Sequence, residues 1–397
     1  GFINDAKEES IEAIFNAIYY KQNKNCSAVI VTGCLTQRYK KTIANKIPEI
    51  DAILGTGNFD KLPEVIEKVL NNKKFYEITN PSFDYNSELP RNLSNKNTAY
   101  LKIAEGCNNN CTYCSIPQIR GRVKSRSIAD IVTEAKKIAE TGIKELIIIA
   151  QDTTQYGVDI YDRSALAPLL RKLTEVEGIK WIRVLYSYPE FITDEIIEVF
   201  ASEKKVCNYF DLPIQHSSAK IRKLMNRKGN EEDIANIINK IRKKIPDAKI
   251  RTSLITGFPG ENREDFNKLK EFVKKYKFDR LGVFEFSREE GTAAYNLDNR
   301  VPDKIKAERK EEIMQLQQEI SLAKNKELVG QKIEVIIEDR DQENYLARSR
   351  YDAPEIDNQI YIPINDKNLE IGEIYQALII EAFHYDLIGE IEDESTK

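Results

Sequence analysis

Histidine is nearly absent: the 397 residues hold two, His216 and His384. A lone histidine more often makes a structural hydrogen bond than acts as a catalytic base, so neither is a candidate, and no other side chain is nominated as catalytic. No uninterrupted apolar run approaches the length of a membrane span, which argues against membrane insertion. With 41% hydrophobic and 31% charged residues, the composition is that of a soluble globular protein and excludes disorder, a collagen-like repeat or a disulfide-stapled scaffold. Six irregularly spaced cysteines fit a reducing compartment, so a cytoplasmic location is expected. The chain opens at Gly1 directly into a helical pattern, so its natural start is expected to lie upstream, and the lack of a signal peptide carries no weight.

The net charge of −4 conceals an asymmetry. Residues 330–397 carry 6 Lys+Arg against 17 Asp+Glu, a balance of −11, which leaves +7 for residues 1–329. Such a tail repels phosphates and attracts basic partners, so RNA contact is not favoured.

Periodicity divides the chain into three parts. Over residues 1–90 a helix is predicted from Asn4 to Tyr20, with Ile11, Ile14, Phe15 and Ile18 as its apolar stripe. Strands at Ser27–Thr32 and Asp51–Leu54 and a helix at Lys61–Leu70 complete a small parallel α/β domain. Its boundary is expected between Asn80 and Asn97, where Pro, Asn and Ser replace any periodicity. Over residues 97–329 a strand–helix unit recurs six times, with strands at Ala99–Ala104, Glu145–Ala150, Trp181–Tyr186, Tyr209–Pro213, Lys249–Ile255 and Arg280–Phe286. We read an open, partial (β/α)6 barrel, followed by a connecting helix at Pro302–Leu328 with Ile305, Ile313, Leu316, Ile320 and Ala323 on its inner face. Over residues 330–397 the pattern becomes alternating, which predicts a small β-barrel with His384 in a strand.

The chemistry is concentrated in Gly106–Gly121, where Cys107, Cys111 and Cys114 form a Cys-x3-Cys-x2-Cys run. Three thiolates are one ligand short of closing a tetrahedral zinc or a four-iron cluster. An iron left open can be chelated by the amino and carboxylate groups of S-adenosylmethionine (SAM), whose sulfonium a reduced cluster can then cleave. This spacing matches the radical SAM motif; a zinc site completed from elsewhere is the alternative. A disulfide is excluded by the odd number and the tight loops. In a parallel barrel chemistry sits at the C-terminal ends of the strands, where the run follows the first strand. Polar residues cluster after three further strands: Gln151–Thr154, Gln215–Ser218 and Arg251–Glu261. Each alone could be a turn or helix cap; together with the cysteines they read as a SAM pocket, with Tyr113, Gln151, Gln215, Arg251, Ser253 and Gly257 as candidate contacts. Cys26 and Cys207 are read as free core thiols. Cys34 follows a buried strand and a glycine, which would place its side chain at the sheet edge.

The cysteine run, the Gly-Cys-Leu-Thr-Gln-Arg-Tyr segment around Cys34 and the β-rich tail together resemble the radical SAM methylthiotransferases. The resemblance covers nearly the whole chain: a partial N-terminal methylthiotransferase domain, the barrel, and a TRAM-like tail. Gly1–Ala6, Ala150–Thr154, Ser287–Thr292 and Asp352–Asp357 resemble the type that modifies a ribosomal-protein aspartate rather than transfer RNA. The resemblance implies two [4Fe-4S] clusters, with Cys34 as one ligand of the second; the other two ligands lie earlier in the family's N-terminal domain and are not in this chain. It also implies SAM, a one-electron donor such as a flavodoxin or ferredoxin, and a basic small-subunit ribosomal protein as substrate. Methylthiolation of transfer-RNA adenosine is the second enzymatic reading. A noncatalytic, zinc-stabilised module binding protein or RNA is the third.

Overall fold

The computed structural model describes residues 3–79, 81, 86–88, 91–92, 97–364 and 368–391. The boundary expected between Asn80 and Asn97 lies largely outside the described residues, as do Gly1 and Phe2. The chain divides into two compact units: Gly1–Tyr85 with Glu105–Lys124 and Ser287–Asp298, and Asn86–Ala104 with Ser125–Phe286 and Asn299–Lys397.

The first unit is a three-layered α/β fold. Helix α1 (Asn4–Asn23) precedes β1 (Ile30–Thr32), α2 (Cys34–Lys46), β2 (Ala52–Leu54), α3 (Leu62–Leu70) and β3 (Phe75–Glu77), and the strands pair in parallel in the order β1-β2-β3. Ile14, Ile18, Leu35 and Ile43 of α1 and α2 pack with Ile53 on one side of the sheet, and Val65 and Val69 of α3 pack with Ala52 and Leu54 on the other. Only half of the expected α1 stripe is buried: Ile11 and Phe15 are 38% and 54% exposed. Positions 14 and 18 form one i,i+4 seam, and a short three-stranded sheet is covered by one seam rather than two. Cys26 is half-buried before the sheet begins and donates to Ala28 O at 3.3 Å, so it is not the core thiol expected. A short helix, α4 (Ile116–Arg120), ends the cysteine run.

The second unit holds six parallel strands, β4 (Thr98–Lys102), β5 (Glu145–Ile149), β6 (Trp181–Val184), β7 (Tyr209–Asp211), β8 (Lys249–Thr256) and β9 (Arg280–Glu285). They form two three-stranded arcs, β4-β5-β6 and β7-β8-β9, joined by a parallel bridge between Ile182 and Val206. Spatial order therefore follows chain order, as successive right-handed crossovers require. Between the strands run α5 (Ile128–Glu140), α6 (Leu166–Thr174), α7 (Asp194–Ser202), α8 (Ala219–Leu224), α9 (Glu231–Lys244) and α10 (Arg263–Tyr276). Helix starts are encoded locally: Ser127 caps α5, and Asn230/Asp233 and Asn262/Asp265 form reciprocal capping boxes on α9 and α10. Along β8, Ile250, Thr252, Leu254 and Thr256 are fully buried, the pattern of a face covered by helices, while Arg251, Ser253 and Ile255 occupy the opposite, barrel-interior face and remain partly accessible.

Helix α11 (Asp303–Lys326) follows. Ile313 and Ile320 are buried as expected, but Ala323 is exposed and Leu316 only half-buried. Polar residues take their place: Gln317 donates to Phe278 O at 3.0 Å, and Asn325 donates to Phe383 O at 2.9 Å and His384 O at 3.2 Å. The helix is tied down by side chain-to-backbone bonds, which an apolar periodicity cannot reveal. The tail is a closed five-stranded barrel, β10 (Lys332–Arg340), β11 (Asn344–Ser349), β12 (Gln359–Pro363), β13 (Ile374–Ala382) and β14 (Asp386–Ile391), ordered β10-β11-β12-β14-β13 around Val335, Ile337, Ala347, Ile360, Ala377 and Ile379. The fifth strand lies beyond those foreseen, and His384 sits in the turn before it rather than in a strand.

The tail docks at the N-terminal ends of β5, β6, β7 and β9. Glu145, the first residue of β5, accepts from Arg183 Nε at 2.8 Å and pairs with Arg348 of β11; all three side chains are buried. Asp352 holds Arg280, the first residue of β9, at 2.7 Å, and Asp357 accepts from the Tyr209 hydroxyl at 2.5 Å. Ile336 and Ala353 pack with Ile147, Trp181 and Tyr209, so the floor of the barrel is closed by the tail.

Candidate functional site

The first unit holds five of the six cysteines, Cys26, Cys34, Cys107, Cys111 and Cys114. Gly106 enters the run at φ +76°, and a Cβ there would lie 2.2 Å from Arg122 O, so only glycine fits. The loop is closed by Cys107 N donating to Gly121 O at 3.1 Å and Cys114 N donating to Cys111 O at 3.0 Å. Backbone amides of Asn109 and Ile116 approach Cys107 Sγ and Cys114 Sγ, each at 3.4 Å. Burial pushes the Cys114 thiol up to about 12, with Cys111 and Cys107 adding to the effect. Three thiols so placed hold negative charge only against a positive centre, which is what a thiolate-bound metal supplies, and amide donors to the sulfurs are a recurring feature of iron–sulfur sites. Among the described residues no three His, Cys, Asp or Glu are gathered as for a single metal ion, a demand that does not apply to thiolates each taking a different iron of a cuboidal cluster.

Cys34 is not at a bare sheet edge. It is the first residue of α2, after Gly33 at φ +119°, and it is half-buried. Arg120, the last residue of α4, donates Nη2 to Cys34 Sγ at 3.2 Å and pairs through Nη1 with Glu105 at 3.2 Å. The segment ending the cysteine run therefore reaches Cys34 through one guanidinium. The loop Ser287–Asp298 joins the same unit: Ala294 N donates to Thr112 O at 2.8 Å, Gln118 donates to Gly291 O at 2.7 Å, and the Glu289 carboxylate pairs with Lys7 at 3.2 Å and Arg38 at 3.6 Å. Tyr113, between Cys111 and Cys114, also belongs here and is half-buried. Sequence reasoning missed Arg120 and Glu289; an arginine six residues past Cys114 and a lone acid in a loop leave no periodic signal.

The remaining candidates belong to the second unit. Gln151 lies two residues past the end of β5 and is half-buried. Gln215 extends the pairing of β7 beyond its end, donating its N–H to Ser253 O and accepting from Ile255 N, both at 2.8 Å, with φ +70°. Tyr186, just beyond β6, also has positive φ, +59°, and its side chain is 46% exposed. Two non-glycine residues held in the left-handed region at neighbouring strand ends are the kind of strain that accompanies binding sites. Ser253 and Arg251 share the interior face of β8. The Arg251 guanidinium is tied to Asp211 at 3.2 Å and to Asp357 at 3.6 Å, partners not foreseen. Gly257, at φ +71°, packs where a Cβ would meet the Lys306 side chain at 2.1 Å, and its N–H donates to Glu261 at 2.9 Å. His216 is fully buried, accepts from Ser218 N at 3.0 Å through Nδ1 and lies 3.4 Å from Glu261, a structural role. Cys207 is a buried thiol.

Comparison with known proteins places these features in context. Residues 101–273 match the radical SAM superfamily model, 329–391 the TRAM domain, and 1–55 the model described as uncharacterized protein family UPF0004. Solved structures share the fold: TsrM, a radical S-adenosylmethionine methyltransferase from Kitasatospora setae with cobalamin and [4Fe-4S] cluster bound, aligns at TM-score 0.57 and 13% identity over 72% of this chain and 62% of that one. Proteins named ribosomal protein uS12 methylthiotransferase RimO are far more similar. Those of Clostridioides difficile and Caldicellulosiruptor saccharolyticus are 48% and 50% identical, each over 98% of this chain and 88% and 89% of their own. That of Clostridium tetani is 48% identical over 100% of this chain and 89% of its own. Among the described residues no helix is long and apolar enough to cross a membrane. With its barrel, cysteine run and five-stranded tail, the chain belongs to the family of radical SAM methylthiotransferases named for ribosomal protein uS12.

Proposed function

We propose that this enzyme adds a methylthio group to the β-carbon of an aspartate in ribosomal protein uS12, with segments 1–90, 97–329 and 330–397 as its three working parts. The single observation that carries the reading is the near-full-length identity to the uS12 methylthiotransferases. Cys107, Cys111 and Cys114 would hold one [4Fe-4S] cluster, and Cys34 would supply one ligand to a second. When bound, the first cluster supplies the electron, taken from a flavodoxin- or ferredoxin-like donor in a reducing cytoplasm, that splits SAM and yields a radical able to abstract hydrogen from an unactivated carbon. The chain's own residues set the conditions. Gly106 and the Cys107–Gly121 bond fix the loop, and backbone amides face two of the sulfurs. Of the six candidates for holding SAM, Tyr113, Gln151, Gln215, Ser253 and Gly257 keep that role, and Arg251, tied to Asp211 and Asp357, takes another. The tail's charge of −11 suits a basic protein better than RNA, because like charges across an interface are repelled.

The test is anaerobic incubation of full-length enzyme with both clusters reconstituted, SAM and reductant with purified uS12 or with transfer RNA, followed by mass analysis. A methylthio gain on uS12 alone is expected; a gain on RNA alone would overturn the choice of substrate. Zinc with no iron or sulfide after anaerobic purification would overturn the radical chemistry.

A further inference from the structure

We propose that Arg251 is the specificity-determining residue that receives the carboxylate of the target side chain. This rests on the aspartate reading above and deepens it. Among the arginines where the tail meets the barrel are Arg183, Arg251, Arg280 and Arg348, with Arg350 at the rim bonded to Lys204 O and Val206 O. The side chains of Arg183, Arg280 and Arg348 are 0%, 9% and 3% exposed, whereas that of Arg251 is 14% exposed and projects from the interior face of β8. Its guanidinium is held on two edges, Nη1 toward Asp211 and Nε toward Asp357. Among the described residues Nη2 has no hydrogen-bond partner. Nη2 lies beside Gly282 of β9, 4.0 Å from where a Cβ would be, with the Phe284 ring at 3.4 Å from the same point.

Each holder is itself fixed. Asp211 accepts from Tyr186 N at 2.9 Å, and Asp357 accepts from Ala353 N at 2.9 Å and from Tyr209. Burial, and then the charge of Asp352, push the Asp357 carboxyl up. A guanidinium with one unoccupied nitrogen can still donate to an incoming carboxylate oxygen. SAM also carries a carboxylate, and the KM for SAM separates that ligand from the target aspartate.

The experiment compares wild-type and Arg251→Gln holoenzyme on uS12 carrying its target aspartate or an asparagine in its place, and measures KM for SAM by 5'-deoxyadenosine release. Wild type should favour the aspartate form by about 10- to 100-fold in kcat/KM, the weight of a hydrogen bond to a charged group. Arg251→Gln should lose that margin on the aspartate form while the KM for SAM stays within about twofold, and Arg251→Lys should fall between. An equal kcat/KM of the wild type for both forms, or a preference retained by Arg251→Gln, would overturn the proposal. So would a rise in the KM for SAM matching the loss on uS12, which would make Arg251 a SAM contact. If wild type modifies neither form, the aspartate reading itself fails and the proposal falls with it.

Discussion

Glu145→Gln is the sharpest probe of how the tail is joined to the barrel. Glu145 is fully buried at the start of β5 and answers two guanidinium groups, Arg183 and Arg348. Burial alone would raise its carboxyl, but Arg348 and Arg183 together hold it below the usual carboxylate range. Glutamine keeps the shape but leaves Arg183 buried without a counter-charge, while Arg348 retains Glu338 at 2.8 Å. Removing one partner of a buried pair costs about 3–5 kcal/mol, whereas replacing a whole ionic cluster by well-packed apolar residues is often near neutral. At about 2–4 °C per kcal/mol, the melting temperature should fall by about 10 °C. The single tryptophan, Trp181, pairs in register with Glu145 and is 2% exposed, so urea unfolding followed by its fluorescence reports on this junction directly. The pH dependence carries a sign. A carboxyl held below its unfolded value, about 4.3, contributes stability that is complete above that value and is lost as pH falls through the folded one. The gap between wild type and variant should therefore be full at pH 7 and close in acid. A loss under about 1 kcal/mol at pH 7, or a gap that widens as pH falls, would refute the reasoning.

Two further outcomes follow from the cysteine loop. Gly106→Ala places a Cβ 2.2 Å from one backbone carbonyl and 2.7 Å from another, neither of which can swing away, and adds about 1–2 kcal/mol for a left-handed alanine. Anaerobically reconstituted protein should then bind less than half the wild-type iron, with circular dichroism unchanged; full iron content would show that the loop yields. Cys111→Ala should abolish 5'-deoxyadenosine formation with the melting temperature within a few degrees of wild type, and retained SAM cleavage would contradict the ligand assignment.

The barrel strands and crossover helices were legible because each carries its own signal: β-branched runs such as Ile147–Ile149 for buried strands, and Asn262 with Asp265 for a helix start. The cysteine spacing was legible because metal chemistry constrains neighbours in sequence. What escaped depends on partners far along the chain. Arg251 and Asp357 are separated by 106 positions, Glu145 and Arg348 by 203, and neither member of either pair shows a local sign of the other. The buried face of α11 escaped for a related reason: Gln317 and Asn325 are inside only because backbone carbonyls wait for them, and hydropathy reads them as outside. Helix α2 was missed because Cys34 through Lys46 is mostly polar, and its buried Leu35, Thr36 and Ile43 are too few to mark a stripe.

Within the segments that resemble the ribosomal-protein type, three carboxylates act as internal ties. Asp352 and Asp357 bring two carboxylates to Arg280 and Arg251 at the barrel floor, and Glu289 brings one to Lys7 and Arg38 beside α2. All three carboxylate side chains are nearly inaccessible, so they cannot meet a partner protein themselves. Their effect is to decide which guanidinium edges stay available: Arg280 is closed by Asp352 on both Nε and Nη2, whereas Arg251 is left with Nη2 free. Substrate choice can therefore be written into a tail that never touches the reacting carbon. A third carboxylate beside Arg251, as Gly282→Asp would place from β9, would occupy Nη2. That substitution should mimic Arg251→Gln in the loss of kcat/KM on aspartate-bearing uS12 while leaving Arg251 in place. Full activity in Gly282→Asp would mean that the free edge is not where the substrate binds.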